Sequence, residues 1–279
     1  MDFSRAFVVP LALVAVISSV SGCVAVSRHH SSSVVQYLYP EQKEPVETPA
    51  IPVLSLPLKV GIAFVPDASD WQNNLTERDK MDLMKEVSAH FKKYEFVKSI
   101  ELIPSAYLTQ NGSFGNLDQI RTMFGIDVIA LLSYDQTQFT DEGLASITYW
   151  TLIGAYIIPG EKNDTHTMMD AAVYDIKSRK MLFRAPGISH IKSKATPINV
   201  TEQLRMDGLD SLKEASQDLV RSLDEQLALF KEKVKDTPQD YQIVPKPGYS
   251  GGGSLDGLFI VLFSILGGYW LWQKRNGKV

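Results

Sequence analysis

Asp164, His166 and Asp170 are the residues in this chain whose types and spacing best suit chemistry. On an extended strand alternate side chains point the same way, so His166, Met168 and Asp170 share a face. Two carboxylates and an imidazole could hold a divalent cation or move protons. Their spacing matches no named motif such as H-E-x-x-H or G-x-S-x-G, and Asp135 and Asp141 lie elsewhere. A hydrogen-bonded turn at the mouth of a hairpin is the default role for such a group. Ser133 stands at a strand end without the glycine-framed elbow of an activated serine. No phosphate loop or dinucleotide fingerprint is present. No catalytic residue, resident metal or cofactor is therefore expected. His29-His30 lacks a nearby third ligand and reads as solvated linker.

The remaining chemistry belongs to Cys23, the only cysteine, which can form no internal disulfide. It follows Arg5, an apolar run from Phe7 to Val20, and the small residues Ser21 and Gly22, the order of a secretory signal peptide. An incidental cysteine beside an ordinary cleavage site, or an uncleaved anchor, are the competing readings. The 279 residues leave room for one ordinary domain once the ends are subtracted. A formal charge of -4 and a pI near 5.8 give no support to nucleic-acid binding.

The elements that would position these residues are legible in the pattern. Pro40, Pro45, Pro49, Pro52 and Pro57 make residues 23–57 read as a semi-rigid tether. Leu58 to Val65 is apolar throughout, as in a buried central strand. Thr76 and Asp79 open a helix carrying Met81, Met84, Val87 and Phe91. Strands are expected over Phe96–Ile103 and Asp127–Tyr134, with a short helix over Leu117–Phe124 stopped by Gly125. Ile147–Ile158, Thr165–Ile176 and Lys180–Ala185 then read as antiparallel strands, with a turn over residues 177–179. Glu202 to Phe230 repeats leucines at three- and four-residue steps, the stripe of a long amphipathic helix on which Gly208 marks close packing or a kink. The fold class is thus α/β: a mixed sheet with an antiparallel meander, packed by helices, over residues 58–235.

Residues 236–254 form a second proline- and glycine-rich linker ending in Gly251-Gly252-Gly253-Ser254. Leu255 to Trp272 spans roughly 27 Å as a helix, enough for a bilayer core. Trp270 and Trp272 beside the tail 273–279, with its basic Lys274, Arg275 and Lys278, suit an interface facing the cytoplasm. A buried soluble helix and a permanent anchor are the alternatives.

Val20-Ser21-Gly22-Cys23 resembles a bacterial lipobox, which implies signal peptidase II cleavage after residue 22 and acylation of Cys23. Val24 after the cysteine leans toward outer-membrane export. Asp170 to Lys180 resembles the strand-pair pattern in the small α/β domains of the curli secretion channel subunit, the lipoprotein activators of cell-wall synthases and the TolB N-terminal domain. The glycine motif, apolar helix and basic end resemble the GlyGly-CTERM signal recognised by rhombosortase, an intramembrane protease of the rhomboid type. Together with Ser133–Gln136, Gly154–Tyr156 and Gly160–Thr167, the two end signals resemble the rhombotarget lipoprotein family. That resemblance implies a lipid-anchored envelope protein processed at both ends and leaves the work of the core open. With no catalytic motif in the core, a non-enzymatic binding or assembly module is expected. Its partners would be the membrane, the acylation and sorting machinery and a rhombosortase-type protease. An envelope enzyme or metal-binding protein using Asp164, His166 and Asp170 is the alternative.

Overall fold

The computed structural model describes residues 26–40, 50–67, 75–142, 161–196 and 198–249. Its centre is strand β3 (Leu58–Phe64), parallel to β4 (Val97–Ile103) on one side and to β5 (Val128–Glu142) on the other. Antiparallel β6 (Glu161–Asp175) and β7 (Lys180–Ala195) continue the sheet, in the order β4-β3-β5-β6-β7. The mixed α/β sheet with an antiparallel meander is therefore present.

The apolar run of β3 is explained by burial on both faces. Ile62 and Phe64 join Leu132 and Val173 under helices α2 (Glu77–Phe91) and α4 (Val200–Asp236). Ala63 and Val65 join Leu131 and Ala172 under α1 (Val34–Leu38) and α3 (Ser113–Phe124). Helix α2 starts in a capping box: the Asp79 amide donates to Thr76 Oγ1 at 3.2 Å, and the Thr76 amide donates to the Asp79 carboxylate at 3.0 Å. Gly125 ends α3 in the left-handed region at φ +63°. The leucine stripe of α4 is buried from Leu204 to Phe230, as its spacing requires.

Two segments whose prolines suggest spacers also carry strands. Val26–Ser31 forms β1, paired antiparallel with the far half of β5, from Asp135 to Thr140. Val53–Leu56 forms β2 and pairs in parallel with β8 (Gln242–Pro245), joining the two proline-rich stretches in a small sheet. The prolines did not prevent this because β1 and β2 contain none, and Pro245 ends β8 in a two-stranded pair, where a missing amide is tolerated. Strands β5, β6 and β7 run much further than the apolar pattern indicates. Beyond Tyr134 they form a ribbon covered by α4 on one face and open on the other.

Candidate functional site

The ribbon alternates strictly on β6. Asn163, Thr165 and Thr167 are buried toward α4, while Asp164, His166 and Met168 point to the open face. In the β6–β7 register His166 stands directly opposite His190, and Met168 opposite Ile188. The two imidazoles stack with centroids 4.0 Å apart and planes inclined by 17°. Both Nε2 atoms reach the same carboxylate oxygen, Asp164 Oδ1, at 3.1 Å from His166 and 2.5 Å from His190. The three side chains are between 36% and 51% exposed, so solutes reach them from solvent.

Asp170 does not join this group. It lies on the same face, but its Oδ1 accepts from Arg184 Nε at 2.6 Å. Burial pushes the Asp170 carboxyl above the usual range, and the Arg184 hydrogen bond and charge oppose that rise. The expected Asp164–His166–Asp170 set is thus corrected to Asp164–His166–His190. Four residues along a strand span about 13 Å, whereas the opposed residue on a neighbouring strand is within about 5.5 Å. Sequence reading missed His190 because it follows the expected strand end at Ala185 and its partner depends on register. Ser133 is buried opposite Asp170. His29 Nε2 pairs with Asp135 Oδ1 at 2.9 Å, so the first histidine lies on the sheet rather than in a linker.

Beneath the histidines the ribbon is fastened by a polar layer. Gln136 Nε2 donates to Thr167 Oγ1 at 2.8 Å and to the Gly208 carbonyl at 2.9 Å. Gln138 Nε2 donates to Thr165 Oγ1 at 3.3 Å and to the Leu204 carbonyl at 2.7 Å. Ser211 Oγ donates to Thr167 Oγ1 at 2.7 Å and Ser189 Oγ to Glu214 at 2.9 Å. Buried polar groups are costly unless paired, so these bonds fix strand position against α4. Gly208 is where a close approach is required: an added Cβ would lie 3.0 Å from Gln136 Oε1.

A second feature lies at the other end of the sheet. A cavity of about 560 Å³ opens between the sheet, α2 and α4, edged by β2 and β8. Val60, Ile100, Val173, Phe183, Leu223 and Val234 are among its mostly apolar lining residues, and Lys93, Lys231 and Lys235 stand exposed at its border. Lys231 Nζ sits 4.8 Å from the Phe96 ring centre and 5.2 Å from that of Tyr94, a cation over aromatic faces. No single sequence motif marks this cavity, since its lining comes from nearly every element of the domain.

Val20, Ser21, Gly22 and Cys23 lie outside the described residues, as do Gly251 to Ser254 and the segment Leu255–Trp272. Ile147–Ile158 also lies outside them. Among the described residues no helix is long and apolar enough to cross a membrane. No protein-family model matches the chain, and no curated protein matches it.

Proposed function

We propose that this protein is a lipid-anchored module of the bacterial cell envelope that binds the acyl portion of an anionic amphiphile without chemical turnover. The observation carrying this reading is the apolar cavity of about 560 Å³ bordered by Lys93, Lys231 and Lys235. Its size falls within the roughly 300–1,000 Å³ typical of small-molecule sites. Each methylene it buries contributes about 0.8 kcal/mol, while three lysines against one carboxylate, Glu95, favour a negatively charged head group at the border. The lipobox-like Val20–Cys23 and the glycine-helix-basic tail support placement at a membrane, where such amphiphiles are abundant. On this reading signal peptidase II and the acylation machinery act at Cys23. A rhombosortase-type protease acts within Gly251–Ser254, and the product is sorted to the outer membrane.

The test uses full-length protein purified from membranes in detergent, with displacement of a fluorescent fatty acid as the readout. Val60→Trp would fill part of the cavity and displace about two methylenes of ligand, weakening binding roughly tenfold. Lys231→Glu with Lys235→Glu should weaken a fatty acid more than its uncharged methyl ester. Circular dichroism would confirm that the variants remain folded. Saturating fatty acid that displaces no probe, or equal binding by the Val60→Trp variant, would overturn the reading.

A further inference from the structure

We propose that Asp164, His166 and His190 bind one divalent transition-metal ion of the zinc class on the open face of the ribbon. The inference is independent of the cavity and of any lipid in it. Two strands bring three potential ligands together, one oxygen and two nitrogens, with all three donor atoms within 4.8 Å of one another. The pairing of His166 with His190 places two imidazoles side by side, and their Nε2 atoms converge on one oxygen of Asp164. Ligands at about 2.0–2.2 Å around a tetrahedral ion are about 3.3–3.6 Å apart. The 3.1 Å separation at His166 nearly meets this, and the 2.5 Å separation at His190 needs a side-chain shift of about 1 Å. All three side chains are partly exposed, which leaves room for that shift and for water at the fourth position.

The donor set decides the class of ion. Imidazole nitrogen with one carboxylate favours zinc, cobalt, nickel or copper, whereas calcium and magnesium prefer all-oxygen shells. The backbone under the ligands is held in advance. Thr165 and Thr167 flank His166 and are tied through Gln138 and Gln136 to carbonyls of α4. Ser189 precedes His190 and is tied to Glu214 and Ser211 on the same helix. A site set on fastened strands loses little order when an ion enters. Met168, Ile188 and Phe139, all partly exposed on this face, give the ligands apolar neighbours.

Full-length protein without a polyhistidine tag, stripped with chelator and dialysed against Zn²⁺ or Co²⁺, supplies the test. One ion per chain is expected, with visible Co²⁺ absorption of a four-coordinate nitrogen- and oxygen-ligated site. His166→Ala and His190→Ala should each weaken binding about tenfold or more, and Asp164→Asn should also weaken it. Asp170→Asn and His29→Ala should leave the affinity unchanged. Circular dichroism and melting of the metal-free variants would confirm that they fold. Absence of stoichiometric Zn²⁺ binding at about 100 µM, or binding that survives His190→Ala, would overturn the proposal.

Discussion

Asp224 on α4 joins the long helix to the end of α2. It accepts from Tyr94 Oη at 2.6 Å and contacts His90 Nε2 at 2.5 Å. Burial acts to raise its pKa, but the Tyr94 and His90 hydrogen bonds and the nearby His90 and Lys93 charges outweigh it and hold the carboxyl below 3.8. Tyr94 in turn is pushed up to about 12 by burial and by this hydrogen bond. A carboxylate with a depressed folded-state pKa adds stability above its unfolded value, and loses it as pH falls through the folded value. Because the side chain is 34% exposed, solvent screening limits the contribution to below about 1 kcal/mol. Asp224→Asn should lower the melting temperature at pH 7 by about 2–4 °C at most, with the difference shrinking toward pH 3. An equal difference at both pH values would show that the carboxylate charge is irrelevant to the contact.

The packing of β7 against α4 depends on Gly187. A Cβ there would collide with the Ala215 carbonyl and come within 2.5 Å of the Leu219 amide nitrogen, both backbone atoms of the helix. Backbone cannot rotate aside as a side chain can, so strand and helix would have to separate. The neighbouring Ile188 amide donates to Asp218 at 3.0 Å, and this bond would lengthen with them. Gly187→Ala should therefore destabilise the domain by about 1–3 kcal/mol, measured by urea unfolding. The same substitution at Gly115, where the nearest atom to an added Cβ is Ser113 Oγ at 3.7 Å, meets no such collision and serves as the control. Equal stability of the two variants would mean that β7 and α4 do not approach so closely.

At the scale of the whole molecule, the proposed lipid on Cys23 lies three residues before β1, so it would hold the sheet within about 11 Å of the attachment point. A helix over Leu255–Trp272 would hold the same chain from its other end. An acylated protein can be extracted from the inner membrane, but Lys274, Arg275 and Lys278 would have to cross hydrocarbon for the helix to follow. The proposed cleavage within Gly251–Ser254 would resolve this conflict, and glycine there would lower the barrier to unwinding into a protease. Intact mass from protease-positive membranes should show an acylated Cys23 and no residues from Leu255 onward. Deletion of the rhomboid-type protease should restore the full C-terminus. A mature species still ending at Val279 in protease-positive cells would overturn transient anchoring.

Much of the architecture is fixed by local pattern. The continuous apolar run of β3, the Thr76–Asp79 cap, the stop at Gly125 and the leucine stripe of α4 each follow from side-chain periodicity or backbone freedom within a few residues. The place of Asp164 and His166 on one exposed strand face follows from the two-residue repeat. The identity of their partner does not. Near the turn, Asp175 pairs with Lys180 and Tyr174 with Met181; continued unshifted, that register would set His166 opposite Ser189. A bulge between Val173 and Tyr174 shifts it by one residue and sets His166 opposite His190 instead. A one-residue slip turns every side chain of a strand to the other face. The shifted register is the one that accompanies the packing of β7 on α4 and the polar layer around Gln136 and Gln138, which are long-range contacts. The cavity is tertiary for the same reason, because β2 and β8 meet across nearly two hundred residues. Local sequence determined which residues are exposed on β6; only the folded register decided that two histidines and a carboxylate share one point.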